Sequence, residues 1–264
     1  MESGLKGKKC LITGGNTGIG LGMAAALAAE GVELAIAGLQ ETPGVLAELS
    51  RLSGMAIFKK VDVSEERQAV AMVEWAIESL GALDLFINNA AVALHEPVTH
   101  ITSEKLFRTF SINLAACVWA GREVAKHMIA RRAGSILITG STVRFCPAYT
   151  EAAYRISKMG LKMYMETLAI ELAPYGIRVN MLTPGHHRTD LTAGVSPSVE
   201  NIMKGQIPLR RLGTPNECGP AAVFLLSDRL SSYITGTEIL IDGGLALRPL
   251  PIRSDDEILK LNLP

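Results

Sequence analysis

Short, nearly unbroken apolar runs alternate with helix-length segments from one end of the chain to the other. The runs lie at residues 9–13, 33–37, 55–60, 83–88, 135–139, 177–182 and 238–241 and are rich in Val, Ile and Leu. Continuous runs of this kind suit strands covered on both faces, whereas a half-exposed strand alternates apolar with polar. Between them the pattern predicts helices over roughly 18–30, 43–52, 65–80, 103–131, 152–173 and 215–228. The third opens Asp62-Val63-Ser64-Glu65-Glu66-Arg67, so Ser64 is the expected N-cap and the two glutamates suit the positive end of the helix. Strict alternation of strand and helix implies an α/β fold: a doubly wound parallel sheet of about seven strands, right-handed crossovers, and helices on both faces. With no internal repeat, low-complexity tract or linker, residues 1–264 are expected to form one domain.

Two stretches break the rhythm. Residues 184–207 follow a strand end and hold Pro184 and Pro197 with several Gly, Ser and Thr; a segment of this length inside a compact domain reads as a substrate lid. Residues 245–264 follow the last strand as a tail, in which Ser254-Asp255-Asp256-Glu257 resembles a helix start.

Composition narrows the function classes. The formal net charge is zero and charged residues make up 20% of the chain, which leaves no electrostatic footprint for nucleic acid or an anionic membrane. The apolar stretch from Leu21 to Leu39 is broken by Glu30, Gly31 and Glu33 and is no membrane span. The segment before Cys10 is polar and too short an apolar core follows it for a signal peptide. Cys10, Cys117, Cys146 and Cys218 have no paired spacing and fit reduced thiols, so a cytoplasmic protein without a metal site is expected.

The candidate chemistry begins at the first strand. It runs into Thr13-Gly14-Gly15-Asn16-Thr17-Gly18-Ile19-Gly20 and then an Ala-rich helix. Glycines there let the backbone approach a pyrophosphate, which the helix N-terminus stabilises, so a Rossmann-type nucleotide site is expected. Asp62, at the third strand's end, is placed to accept a hydrogen bond from an adenine amino group. Asn88-Asn89-Ala90-Ala91 ends the fourth strand with small residues, and Asn88 is placed to tie strand ends together. After the second strand comes Ala37-Gly38-Leu39-Gln40, with neither the acid that holds a ribose 2′-hydroxyl nor the arginine that accommodates a 2′-phosphate. NAD and NADP therefore both stand.

Tyr154 and Lys158 are four residues apart on a predicted helix and share a face. An ammonium beside a phenol is expected to lower its pKa from about 10 and fit it for acid/base work. Ser141, thirteen residues before Tyr154, stands just past a strand as a hydroxyl donor to a substrate oxygen.

Taken in order, these motifs resemble the short-chain dehydrogenase/reductase family over roughly residues 6–244: Thr13–Gly20, Asp62-Val63, Asn88-Asn89-Ala90, Ser141, Tyr154-x3-Lys158, Pro184-Gly185 and Asp242-Gly243-Gly244. Arg211, Gly213, Pro215 and Glu217 also resemble the family's ending. The resemblance implies Tyr154 as general acid/base, Lys158 as the group that lowers its pKa and bonds the nicotinamide ribose, Ser141 as orienter of the substrate oxygen, and Asn113 as support for a proton-relay water. It implies cofactor contacts at Gly14, Asn16, Thr17, Gly18, Ile19, Gly20, Leu39, Asp62, Val63, Asn89, Ala90, Pro184, Gly185 and Thr189. Two departures stand out: Ala91 replaces the glycine that usually completes Asn-Asn-Ala-Gly, and His186-His187 replace the hydrophobic residues usual after Pro184-Gly185.

The expected reaction is hydride transfer between a nicotinamide and a secondary alcohol or ketone. His95, Arg144 and His186 are the candidate substrate residues, and with Glu96 they would suit a sugar, polyol or other polar small molecule. A 3-oxoacyl-thioester reductase is the alternative within the family, and a non-catalytic nucleotide-sensing protein is the alternative of another class. The predicted helix from Met159 to Leu172 is apolar nearly all round, and the family often assembles through it, so a homo-oligomer, a tetramer, is expected.

Overall fold

The computed structural model describes residues 2–189 and 196–247. Seven strands form one parallel sheet in the order β3-β2-β1-β4-β5-β6-β7. They are β1 (Lys9–Thr13), β2 (Glu33–Gly38), β3 (Ala56–Lys60), β4 (Leu85–Asn88), β5 (Gly134–Thr139), β6 (Ile177–Pro184) and β7 (Glu238–Ile241). β6 is buried at every position and β1 at all but its first, as strands covered on two faces must be. One face packs Leu11, Phe86, Ile136, Ile138 and Val179 against α3 (Glu66–Leu80), α5 (Ala116–Arg131) and α6 (Ala152–Leu172). The other packs Ile12, Ile36, Ile87, Leu137 and Leu182 against α1 (Gly18–Ala29), α2 (Val45–Ser53) and α8 (Gly219–Leu226).

The strand order reverses between β1 and β4, which are hydrogen-bonded neighbours from Cys10↔Leu85 to Ile12↔Ile87. A crevice opens beyond the carboxyl ends of strands at such a switch point. The glycine turn, Asn89, Ser141 and Gly185 all follow directly on the ends of β1, β4, β5 and β6.

Three local expectations are corrected. Ser64 does not cap α3: Glu65 takes that position, and Ser64 donates its N–H and its hydroxyl to Asp62 Oδ1 at 3.0 and 2.7 Å. The short acid captures the serine in a local turn before the helix starts. The helix predicted over 103–131 is α4 (Ser103–Phe110), a π turn at Ser111–Ala115, and then α5, with Thr102 accepting from Lys105 N as the N-cap. The π turn carries Asn113, and such bulges recur at functional sites. Within 184–207 lies α7 (Pro197–Gln206), started by Ser196 as N-cap and Pro197 at its first position. Met203 and Ile207 at its end pack with Leu212, Leu245 and Cys146. The remaining helix, α9 (Asp228–Ser231), is short. Residues 190–195 of the expected lid and 248–264 of the tail, with the helix start expected at Ser254, lie outside the described residues.

Candidate active site

The nucleotide end is built on close backbone approach. A Cβ at Gly20 would fall 1.9 Å from Gly14 O and 2.6 Å from Asn89 Nδ2, so only glycine lets α1 begin this near the end of β1. No side chain caps the α1 N-terminus at Thr17, which leaves its N–H groups open to an anion. These features fit a pyrophosphate. Thr189, from the segment after β6, comes within 3.4 Å of the point where a Gly18 Cβ would sit.

Asn89, rather than Asn88, ties the strand ends. Its Nδ2 donates to Thr13 O and Gly14 O at 3.1 and 3.2 Å, and its Oδ1 accepts from Thr139 Oγ1 at 3.3 Å. Thr13 Oγ1 in turn accepts from the N–H groups of Asn89 and Ala90 at 2.9 and 3.1 Å. β1, β4 and β5 are thereby locked together beneath the crevice. Asn88 is buried within its strand.

Asn16 is spent on the protein itself: its Nδ2 donates to Gln40 O at 2.7 Å and Thr42 Oγ1 at 3.0 Å. Its Oδ1 lies 2.9 Å from where a Gly38 Cβ would project, which shuts out a longer side chain there. Leu39 beside it is exposed. Asp62 is held ionised, below the usual carboxylate range, first by Ser64's hydroxyl. Val63 is buried in the core below.

The catalytic-type residues converge at the ends of β5 and α6. Ser141 starts a short 3-10 turn and its Oγ accepts from Val143 N at 3.3 Å. The Ser141 hydroxyl lies near enough to the Tyr154 phenol to act on its pKa. Lys158, one helical turn on and 3% exposed, donates to Thr139 O at 2.9 Å and sits 5.7 Å from the centre of the Tyr154 ring. Asn113 is fully buried; its Oδ1 accepts from Val92 N at 2.8 Å, and its Nδ2 donates to Val92 O at 2.9 Å and Ser157 Oγ at 3.1 Å. Ser157 Oγ donates to Tyr154 O at 2.7 Å, so Asn113 links the loop after β4 to the helix that carries Tyr154.

The expected lowering of the Tyr154 pKa is corrected. Burial pushes the phenol up, the Ser141 hydroxyl offsets part of this, and the charge of Glu151 adds to the rise. Lys158 is perturbed as well: burial lowers its pKa from 10.5 to about 8. Its ammonium is directed at a backbone carbonyl, not at the phenol oxygen.

The three substrate candidates part company. Arg144 is committed to Glu238 on β7 by paired contacts, Nε to Oε1 at 3.1 Å and Nη2 to Oε2, and lies over the Phe145 ring at 3.9 Å. Glu238 also accepts from Thr183 Oγ1 at 2.6 Å. Arg144 thus braces the Ser141 turn, and Arg155 Nε ties the same turn to α6 through Val143 O at 2.8 Å. His95 is exposed and meets Thr150 Oγ1 at 3.4 Å. His186 is half-buried, its pKa lowered by burial and then by His187. The backbone there is pinned, with Gly213 N donating to His186 O and Arg188 N donating to Gly213 O, both at 2.9 Å. Pro184 ends β6 and Gly185 N donates to Ile241 O at 2.9 Å, fixing the floor under His186. Thr139, Ser157, Arg155 and Glu151 are site residues absent from the sequence-based expectations, in which Thr13 stood only as the start of the glycine turn. Only Arg155, Ser157 and Glu151 carried any signal, their nearness to Tyr154.

A family model described as enoyl-(acyl carrier protein) reductase matches residues 14–246. A short-chain type dehydrogenase/reductase from Mycobacterium marinum superposes with a TM-score of 0.87 at 30% identity, covering 92% of this chain and 97% of that one. The chain belongs to the short-chain dehydrogenase/reductase family. It is similar to a 3-oxoacyl-[acyl-carrier-protein] reductase, FabG, of Chlamydia pneumoniae, 34% identical over 93% of this chain and 99% of that protein. It is also similar to an NAD+-bound xylitol dehydrogenase, with a TM-score of 0.85 and 30% identity over 91% of this chain and 100% of that one. As a member of this family it is an oxidoreductase that uses NAD or NADP. Among the described residues no helix is long and apolar enough to cross a membrane.

Proposed function

We propose that this short-chain dehydrogenase/reductase interconverts a secondary alcohol and a ketone on a polar small molecule. The observation that carries the reading is the Tyr154–Ser141 hydroxyl pair at the end of β5, with Lys158 one turn along α6. Bound in the crevice, the nicotinamide supplies or accepts the hydride. The two hydroxyls hold the substrate oxygen and stabilise its developing charge. In reduction Tyr154 Oη gives its proton to that oxygen; in oxidation it takes one. Lys158 lies beside the tyrosine ring and would hold a sugar hydroxyl of the cofactor, and Asn113, on the π turn, would support the proton relay. Gly14, Thr17, Gly18, Ile19, Gly20, Leu39, Asp62, Asn89, Ala90, Pro184, Gly185 and Thr189 would surround the cofactor.

Turnover of NADH and NADPH with ketones, sugars and acyl thioesters tests this reading. Turnover left unchanged by Tyr154→Phe would sink it, and cofactor binding without turnover of any substrate would favour a sensing protein. With neither acid nor arginine at Gly38 and Leu39, NADH and NADPH are expected to bind within about tenfold of each other by fluorescence titration. A hundredfold gap would place a selecting group elsewhere.

The reading includes assembly. Ile156, Met159, Met163 and Ile170 lie exposed along α6, with Phe107 on α4 and Val118 on α5. This apolar face supports a homo-oligomer, a tetramer, in solution. Sedimentation at micromolar concentration is expected to give a mass well above the 28.2 kDa chain. The four unpaired cysteines support a reducing, cytoplasmic setting.

A further inference from the structure

We propose that Glu151 is a specificity-determining residue of this site: its carboxylate accepts a hydrogen bond from a hydroxyl group next to the reacting carbon, so the chain selects vicinal diols and polyols. The inference rests on the alcohol/ketone reading and narrows it.

Among the described residues, Glu151 Oε2 is a side-chain oxygen shielded from solvent with no hydrogen-bond partner. A buried acceptor left unsatisfied is costly, and in a native fold it calls for a specific cause. Helix capping is not the cause. Glu151 occupies the N-cap position of α6, yet its side chain makes no cap hydrogen bond. The carboxylate is instead held near the chemistry, three residues before Tyr154, and its charge is felt by that phenol.

The backbone leading into it is strained. Thr150 has φ +65°, in the left-handed region that a β-branched residue rarely adopts. Strain of this kind persists where the surroundings hold it, often at a ligand clamp. Here the clasp is visible: Glu96 N donates to Thr150 O at 2.9 Å, and His95 Nδ1 meets Thr150 Oγ1 at 3.4 Å. The loop after β4 therefore fixes the residue that aims Glu151.

The ligand chemistry follows from what faces the carboxylate. His95 and Arg155 both favour its ionised form, while burial acts the other way and prevails, so the carboxyl lies above its usual range. A substrate ammonium would meet the Arg155 cation and the histidine already there. A neutral O–H donor meets no such repulsion and satisfies the unpaired oxygen. A 3-oxoacyl thioester offers no O–H donor beside its reacting carbonyl, only the thioester carbonyl oxygen on one side, and would leave the Glu151 oxygen unpaired.

Matched pairs test the proposal: cis-1,2-cyclohexanediol against cyclohexanol, and D-galactose against 2-deoxy-D-galactose. Each is titrated calorimetrically into the full chain saturated with oxidised cofactor, using Tyr154→Phe to prevent turnover. In at least one pair the more hydroxylated member is expected to bind about tenfold tighter, the value of a hydrogen bond to a charged group. Glu151→Ala should erase that preference. The isosteric Glu151→Gln, which guards against misfolding, should leave it intermediate. No preference in any pair, or a preference that survives Glu151→Ala, would overturn the proposal. A binding preference without turnover of any member by the unmodified enzyme would support the subsite and overturn the alcohol/ketone reading.

Discussion

Tyr154→Phe is expected to lower kcat by about 10²- to 10⁴-fold, the usual worth of a positioned acid/base, in both reaction directions. The substitution removes one oxygen and little else. The ring that packs 5.7 Å from the Lys158 ammonium remains, and Ser141 keeps its bond from Val143 N. Cofactor affinity, read by fluorescence titration, is therefore expected to hold within about threefold. A kcat loss with intact cofactor binding is the signature of a group used at the substrate oxygen. The raised phenol pKa adds a pH signature. Tyr154 stays protonated through neutral pH, so reduction should run level well into the alkaline range. Oxidation needs the phenolate and should climb with pH toward a pKa above the ordinary tyrosine value. An oxidation profile that levels off below that value would show the phenol to be tuned downward after all. A Tyr154→Phe variant that kept a tenth or more of wild-type kcat would remove Tyr154 from the mechanism.

The sheet was legible because burial on both faces leaves an unbroken apolar run, and all seven runs became strands within two residues at each end. The glycine turn was legible because Gly20 tolerates no Cβ beside Gly14 O. What escaped was set by tertiary partners. Ser64 had the composition of an N-cap, but Asp62 two residues earlier took its hydroxyl. The π turn around Asn113 has no period of its own; it answers to the Val92 backbone on another element. Asn88 and Asn89 are alike in sequence, and only the pleat decides that Asn89 reaches β1 and β5. Arg144 read as a substrate residue because its partner, Glu238, lies 94 positions away. The Tyr154 pKa was misjudged because spacing on a helix gives nearness to a cation and says nothing of the solvent lost by both groups.

Lys158→Met is expected to give a chain that is more stable than the wild type at pH 7 and nearly inactive. Lys158 is buried, and its pKa falls from 10.5 to about 8 because burial disfavours the ammonium. Cys117 beside it supplies no compensating charge, since its own thiol is pushed up to about 12 and stays neutral. The sign follows from linkage. Below about pH 8 both folded and unfolded chains carry the proton, and the folded state bears the full desolvation cost. Between about 8 and 10.5 the folded state releases the proton first, so this group's contribution to stability rises with pH across that window. The shift corresponds to roughly 3 kcal/mol, less about 1 kcal/mol for the hydrogen bond to Thr139 O that methionine cannot make. Urea midpoints of the two chains should therefore differ by about 2 kcal/mol at pH 7 in favour of methionine, and converge as pH approaches 10. A methionine chain that is less stable at every pH would show that the ammonium holds the fold together. The expected result places Lys158 among residues kept for chemistry against the preference of the core, which is where a buried cation with one carbonyl partner belongs.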